Sequence, residues 1–128
     1  MFGLFKMDKA NTPILKQLPA ASATYSVGQV AVINASGYVA AVSGTVMPTH
    51  VIMEKGTKTT ADTITVKPIY KDEEYITTLS TAGTLTVGTK VTIATDCAQV
   101  TATTTSGVAT VVEALGTTSG SAVIVKFE

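Results

Sequence analysis

Arginine and tryptophan are absent from this sequence, and histidine and cysteine occur once each. All nine basic residues are lysine, balanced by nine acids, for a formal net charge of zero. Without arginine the chain lacks the guanidinium fork that most often grips phosphate, carboxylate and guanine. With no lysine excess either, there is no electrostatic footprint for nucleic acid. One cysteine, Cys97, cannot close an internal disulfide, so the fold does not depend on an oxidising compartment. Its expected role is that of a small, buried or half-buried side chain.

Catalytic constellations are equally scarce. His50 stands beside Pro48 and Thr49 at a loop-to-strand junction with no evident partner, which points to a surface or capping role. No cysteine/histidine spacing suits zinc, no Gly-x-Ser-x-Gly surrounds a serine, and no Asp-x-Asp calcium loop occurs. The acids Asp62, Asp72, Glu73, Glu74, Asp96 and Glu113 are dispersed. A glycosidase pair among them would lack the tryptophan platforms that sugars stack on. The expectation is a protein that is not an enzyme and needs no metal or cofactor. Long apolar runs are missing too. Lys6, Asp8, Lys9 and Lys16 interrupt every stretch near the N-terminus, and no window of roughly 18 to 20 apolar residues could cross a membrane. The sequence reads as a soluble chain made in the cytoplasm, with no membrane partner.

What is present is threonine, valine, alanine and glycine. Of 128 residues 45% are hydrophobic but only 14% charged, well below the usual quarter. So thinly charged a surface suggests that part of it meets protein. From Thr24 onward β-branched runs are cut by turn residues, a strand-and-turn composition. Expected strands are Gln29–Asn34, Tyr38–Val42, Val51–Met53, Thr63–Pro68, Lys90–Ala94, Gln99–Thr103, Ala109–Leu115 and Ala122–Phe127. Alternation is clear in Thr63–Lys67, where Ile64 and Val66 should face inward, and in Val123, Val125 and Phe127. Asn34-Ala35-Ser36-Gly37 reads as a polar hairpin turn.

These strands recur. Ser26-Val27-Gly28 opening into Gln29–Ile33 matches Thr86-Val87-Gly88 opening into Thr89–Ile93. Tyr38–Ala40 then answers Gln99–Thr101, Val51–Gly56 answers Val111–Gly116, and Thr63–Lys67 answers Ala122–Lys126. Four elements thus repeat in order at an offset of about sixty residues, giving halves over 24–69 and 84–128. Units of some forty residues are too small to bury a core alone, so the halves are expected to share one within a single β domain over 24–128. The charged stretch Lys71-Asp72-Glu73-Glu74, inside Tyr70–Ala82, reads as a solvated joint or inserted hairpin. The N-terminal 1–23 differ in kind. They hold Pro13 and Pro19, lack alternation, and carry the apolar anchors Phe2, Leu4, Phe5, Ile14 and Leu15. They read as an extended arm, dispensable for folding, that lies on a partner.

The polar-Val-Gly strand openings, the alanine- and threonine-rich turns and the closing x-Val-x-Val strand resemble the capsid decoration, or cement, proteins of tailed bacteriophages over about Thr24–Glu128. That resemblance implies a small β-barrel or β-sandwich (β-tulip-like) with an N-terminal arm. It also implies a virion structural protein on the outer capsid surface that bridges major capsid protein subunits, often as a dimer or trimer, and stabilises the shell. Phe2, Leu4, Phe5, Ile14 and Leu15 would then be the capsid contacts. A head-fibre or tail module binding a receptor or glycan is the alternative.

Overall fold

The computed structural model describes residues 1–6 and 14–128. It is all-β: twelve strands form two five-stranded antiparallel sheets and a two-stranded ribbon, a small barrel-like sandwich. In chain order the strands are β1 (Gly3–Lys6), β2 (Lys16–Pro19), β3 (Ala23–Tyr25), β4 (Val30–Ile33), β5 (Val39–Ala41), β6 (His50–Ile52), β7 (Gly56–Lys58), β8 (Thr63–Pro68), β9 (Glu74–Thr78), β10 (Lys90–Val91), β11 (Ala109–Ala114) and β12 (Ala122–Phe127). The sheets run β2-β8-β6-β4-β5 and β1-β9-β12-β11-β10, with β3 paired to β7.

Bridges beyond the named strands curl both sheets, joining the outer strands β2 and β5 of the first and, in the second, running from just past β9 through Val100 to Ile93 with β1 left outside. Just past β2, Ala20 forms a parallel bridge with Val39 of β5; just past β9, Leu79 forms the same bridge with Val100. The Ala21 and Ser80 amides donate to the carbonyls of Val39 and Val100, both at 2.9 Å. This correspondence is part of a duplication that runs through the backbone hydrogen bonds. Gly28 donates to Ile52 O and Ile52 to Gln29 O; Gly88 donates to Val111 O and Val111 to Thr89 O; all four bonds are 2.8 Å. Both turns need a left-handed residue, and Gly28 and Gly88 each sit at φ +88°. Asn34 Oδ1 accepts from the amides of Ser36 and Tyr38, as Asp96 Oδ1 does from those of Ala98 and Gln99. The offset is 60 residues at Gly28 and Gly88 but 59 at Ile52 and Val111. The expected pairing of Val51 with Val111 is therefore one residue out.

The repeat is also longer than the sequence suggested. Lys16 pairs with Val66 and Tyr75 with Val125, so β2 and β9 are equivalent and each half has five elements, not four. Three expectations change with this. Tyr70–Ala82 is no mere joint, since it contains β9, which lies between β1 and β12. Gln99–Thr103 is held chiefly through bridges at Val100 and not as a regular strand. The described part of 1–23 is no detached arm: it supplies an outer strand of each sheet. Removing 1–23 would take β1, all of β2 and the buried Phe2 from the domain, which argues against its being dispensable for folding.

The halves do not share a single core. Tyr25, Ala31, Val39, Ile52, Ile64, Val66 and Ala20 form one cluster inside the first half. A larger one inside the second half includes Leu79, Val91, Ile93, Val100, Val111, Val123, Val125 and Phe127. Strand alternation links them: along β4 and β6, Ala31 and Ile52 point into the first cluster while Val30 and Val51 point into the second. The outer face of the first sheet thus closes over the interior of the second. Val30, Val51 and Lys67 lie side by side on that face. Their counterparts are Lys90, Thr110 and Lys126, also side by side, with Lys90 exposed and the other two half-buried.

The two equivalent glycines separate strain from crowding. A Cβ on Gly88 would meet nothing within 4 Å, whereas one on Gly28 would run into the Met1 side chain. Gly88→Ala should therefore cost about 1–2 kcal/mol, the left-handed penalty alone. Gly28→Ala should cost more, by urea denaturation of the two variants side by side.

Candidate interaction surface

The residues expected to contact a partner divide into two groups. Phe2 is only 2% exposed and sits in the second core, its ring edge-on to Phe127 with centroids 5.3 Å apart. The Phe2 amide donates to Gly28 O at 2.9 Å. Leu4, half-buried, stands opposite Tyr75 and packs against the same cluster. These two are corrections to the expected set, because the domain's own core occupies them. Burial of a phenylalanine contributes about 1.5–3 kcal/mol, with a further 0.5–1.5 for an aromatic pair, so Phe2 is not easily released to a partner. Phe5, Ile14 and Leu15 are the opposite case, at 53%, 64% and 51% exposed. They flank or belong to strands held by backbone pairing, so their positions are fixed while their side chains face solvent.

Sequence reasoning missed other exposed apolar side chains, including Val46, Met47, Met53, Val87 and Leu115. Their one signal was a position in or beside a turn. Met53 and Val27 join Met1, Phe2, Leu4, Val51 and Tyr75 around a cavity of about 180 Å³. Lys67 also lines it. The walls are otherwise apolar, and the polar atoms of Lys67 and Tyr75 are committed elsewhere.

That commitment is a buried polar cluster between the halves. Lys67 and Glu73 are 3% and 2% exposed, and Nζ lies 2.6 Å from Oε1. The Lys67 ammonium spends its other protons on Pro68 O at 2.8 Å and the Tyr75 hydroxyl at 3.0 Å. Tyr75 in turn donates to Glu73 Oε1 at 3.0 Å, and the Tyr70 amide donates to the same oxygen at 2.8 Å. Lysine's three donors are thus all used. Glu73 Oε2 is buried and has no hydrogen-bond partner. Burial, then the charge and hydrogen bond of Glu73, push the Tyr75 hydroxyl far above its ordinary range. The cluster ties β8 to the start of β9 through these bonds.

The remaining singled-out residues fall apart in space or serve the backbone. His50 opens β6, opposite Ala31 and Pro68, with Nδ1 2.8 Å from Thr49 Oγ1. Burial, and secondarily Lys16, holds its pKa below the ordinary value. Cys97 is half-buried at φ +62°, in the position Gly37 takes in the first half. Among the described residues no three His, Cys, Asp or Glu gather into a metal-binding group.

Comparison with protein-family models, curated proteins and solved structures returned no match.

Two outcomes are expected of the polar cluster. Glu73→Ala strands a buried ammonium and should cost about 3–5 kcal/mol, whereas the triple variant K67M/E73L/Y75F should cost far less, both by urea denaturation. Tyr75 keeps its proton in the fold at pH values where the unfolded chain, with a tyrosine pKa near 10, has lost it. Its contribution is therefore complete below pH 10 and falls by about 1.4 kcal/mol per unit above it. Tyr75→Phe should flatten that alkaline slope relative to wild type.

Proposed function

We propose that this protein is a structural, non-catalytic subunit that decorates the outer surface of a phage capsid and stabilises the shell by bridging major capsid subunits. The observation that carries the reading is the N-terminal segment, whose strands are pinned to both sheets while Phe5, Ile14 and Leu15 stand out into solvent. Solvent exposure of three large apolar side chains from one short segment suits a surface that is covered on assembly. On a repeating lattice, many copies of a modest apolar contact suffice, because multivalency multiplies weak attachment. A chain with 14% charged residues and no formal net charge suits contact with protein better than contact with nucleic acid. The sequence resemblance to phage decoration proteins supplies the particular partner, and a dimer or trimer on the shell is part of the same reading.

Purified protein should co-sediment with expanded phage heads lacking a decoration protein, saturating at a fixed ratio to the major capsid protein and raising the melting temperature of the shell. The variant F5S/I14S/L15S should fold as wild type and lose at least tenfold in attachment. Absence of saturable binding by the wild-type protein sinks the proposal.

A further inference from the structure

Among the described residues the duplication leaves one strand edge without its counterpart. In the second half, β9 is paired on one side with β12 and on the other with β1, whose Leu4 lies opposite Tyr75 and Gly3 opposite Ile76. In the first half, β2 is paired with β8 on the side equivalent to β12, through Lys16 with Val66 and Gln17 with Thr65. Among the described residues nothing pairs with its other side before Ala20. Because Val66 and Val125 are equivalent, Lys16 occupies the place of Tyr75, Gln17 that of Ile76 and Leu15 that of Glu74. The edge Leu15–Gln17 is thus the counterpart of the edge that β1 covers.

Burial follows the same difference. Tyr75, with a strand beside it, is 1% exposed; Ile14, Leu15, Lys16 and Gln17 are all exposed. An open sheet edge offers a row of backbone donors and acceptors to any extended chain. Here the molecule itself covers the equivalent edge with β1, Gly-Leu-Phe-Lys, which pairs antiparallel and is preceded by Phe2, whose ring seats on Phe127. The residue equivalent to Phe127 is Pro68, also buried and apolar. The two edges differ in charge at two places, Lys16 standing for Tyr75 and Leu15 for Glu74. Lys16 forms no ion pair among the described residues, and its positive field reaches His50.

We infer that the Leu15–Gln17 edge of β2 is a strand-addition site that accepts an extended segment of another protein, antiparallel, in the register β1 uses on β9. That segment carries an aromatic side chain placed as Phe2 is and a carboxylate that meets Lys16. A second copy of this chain offering its own β1 fits less well, since that register sets the uncharged Leu4 opposite Lys16. The site deepens the proposed function by saying how Ile14 and Leu15 are engaged, and rests on that reading only for the partner's identity.

The test uses a blocked hexapeptide, Ser-Phe-Gly-Glu-Phe-Ser, whose Glu falls opposite Lys16 in that register, titrated into the full-length 15N-labelled protein. Amide shifts and slowed hydrogen exchange centred on Leu15–Gln17 are expected, while Glu74–Ile76 stays unchanged. Lys16→Glu should weaken binding at least tenfold and favour the lysine peptide Ser-Phe-Gly-Lys-Phe-Ser. No perturbation at Leu15–Gln17, or displacement of β1 from β9 instead, overturns the inference, as does indifference to the charge swap. Peptide binding at the edge, with no attachment of the protein to phage heads, upholds the strand-addition site and overturns the capsid reading alone.

Discussion

The structure depends on the seal between its halves. Val30 and Val51 leave the outer face of the first sheet and enter the core of the second, where Phe2, Tyr75 and Phe127 meet them. The second half then has a core large enough to be stable; the first keeps only a small one around Tyr25. Neither curled sheet would persist alone, because units of this size bury too little apolar surface to offset chain entropy. The polar cluster is a consequence of the same seal. Lys67 shares the row of Val30 and Val51, so closing the face forces its ammonium out of water. Glu73 and Tyr75, from the linker and the next strand, make that tolerable by accepting its protons.

Much of the fold was legible. Alternation located β8 and β12, and the polar-Val-Gly openings fell on turns that need a left-handed glycine. The order of repeated elements survived, down to the turn in which Gly37 donates to Asn34 O and Asn34 to Tyr38 O, matched by Cys97 to Ala94 O and Ala94 to Gln99 O. The strands missed were β1, β2, β3, β7 and β9, all three to five residues long. Runs that short are too brief for a period of two to declare itself, and Pro19 ends β2 where it is harmless only because the strand lies outermost. β9 hid behind its charges: Glu73 looks solvated in sequence, and its burial rests on pairing with a lysine six residues earlier.

The interaction surface was only partly readable, for a related reason. Phe2 and Phe5 are indistinguishable as apolar anchors in sequence. What separates them is alternation along β1 combined with the presence of Phe127, 125 residues away, at the place where Phe2 arrives. Ile14 and Leu15 were singled out for their apolarity alone; that they border an unpaired edge is visible only once β2 is matched to β9.

The row Lys90, Thr110 and Lys126 has the position in the second half that Val30, Val51 and Lys67 have in the first. Joining one unit's back to the next unit's mouth is a head-to-tail relation, and nothing in such geometry limits it to two members. Were the second back as greasy as the first, molecules in solution would stack on one another without end. Two lysines and a threonine wet that back and stop the series at its second member, in the way polar terminal repeats keep solenoid proteins from fusing into fibres. On this geometry the wetted back works against a third unit joining by the seal that joins the first two.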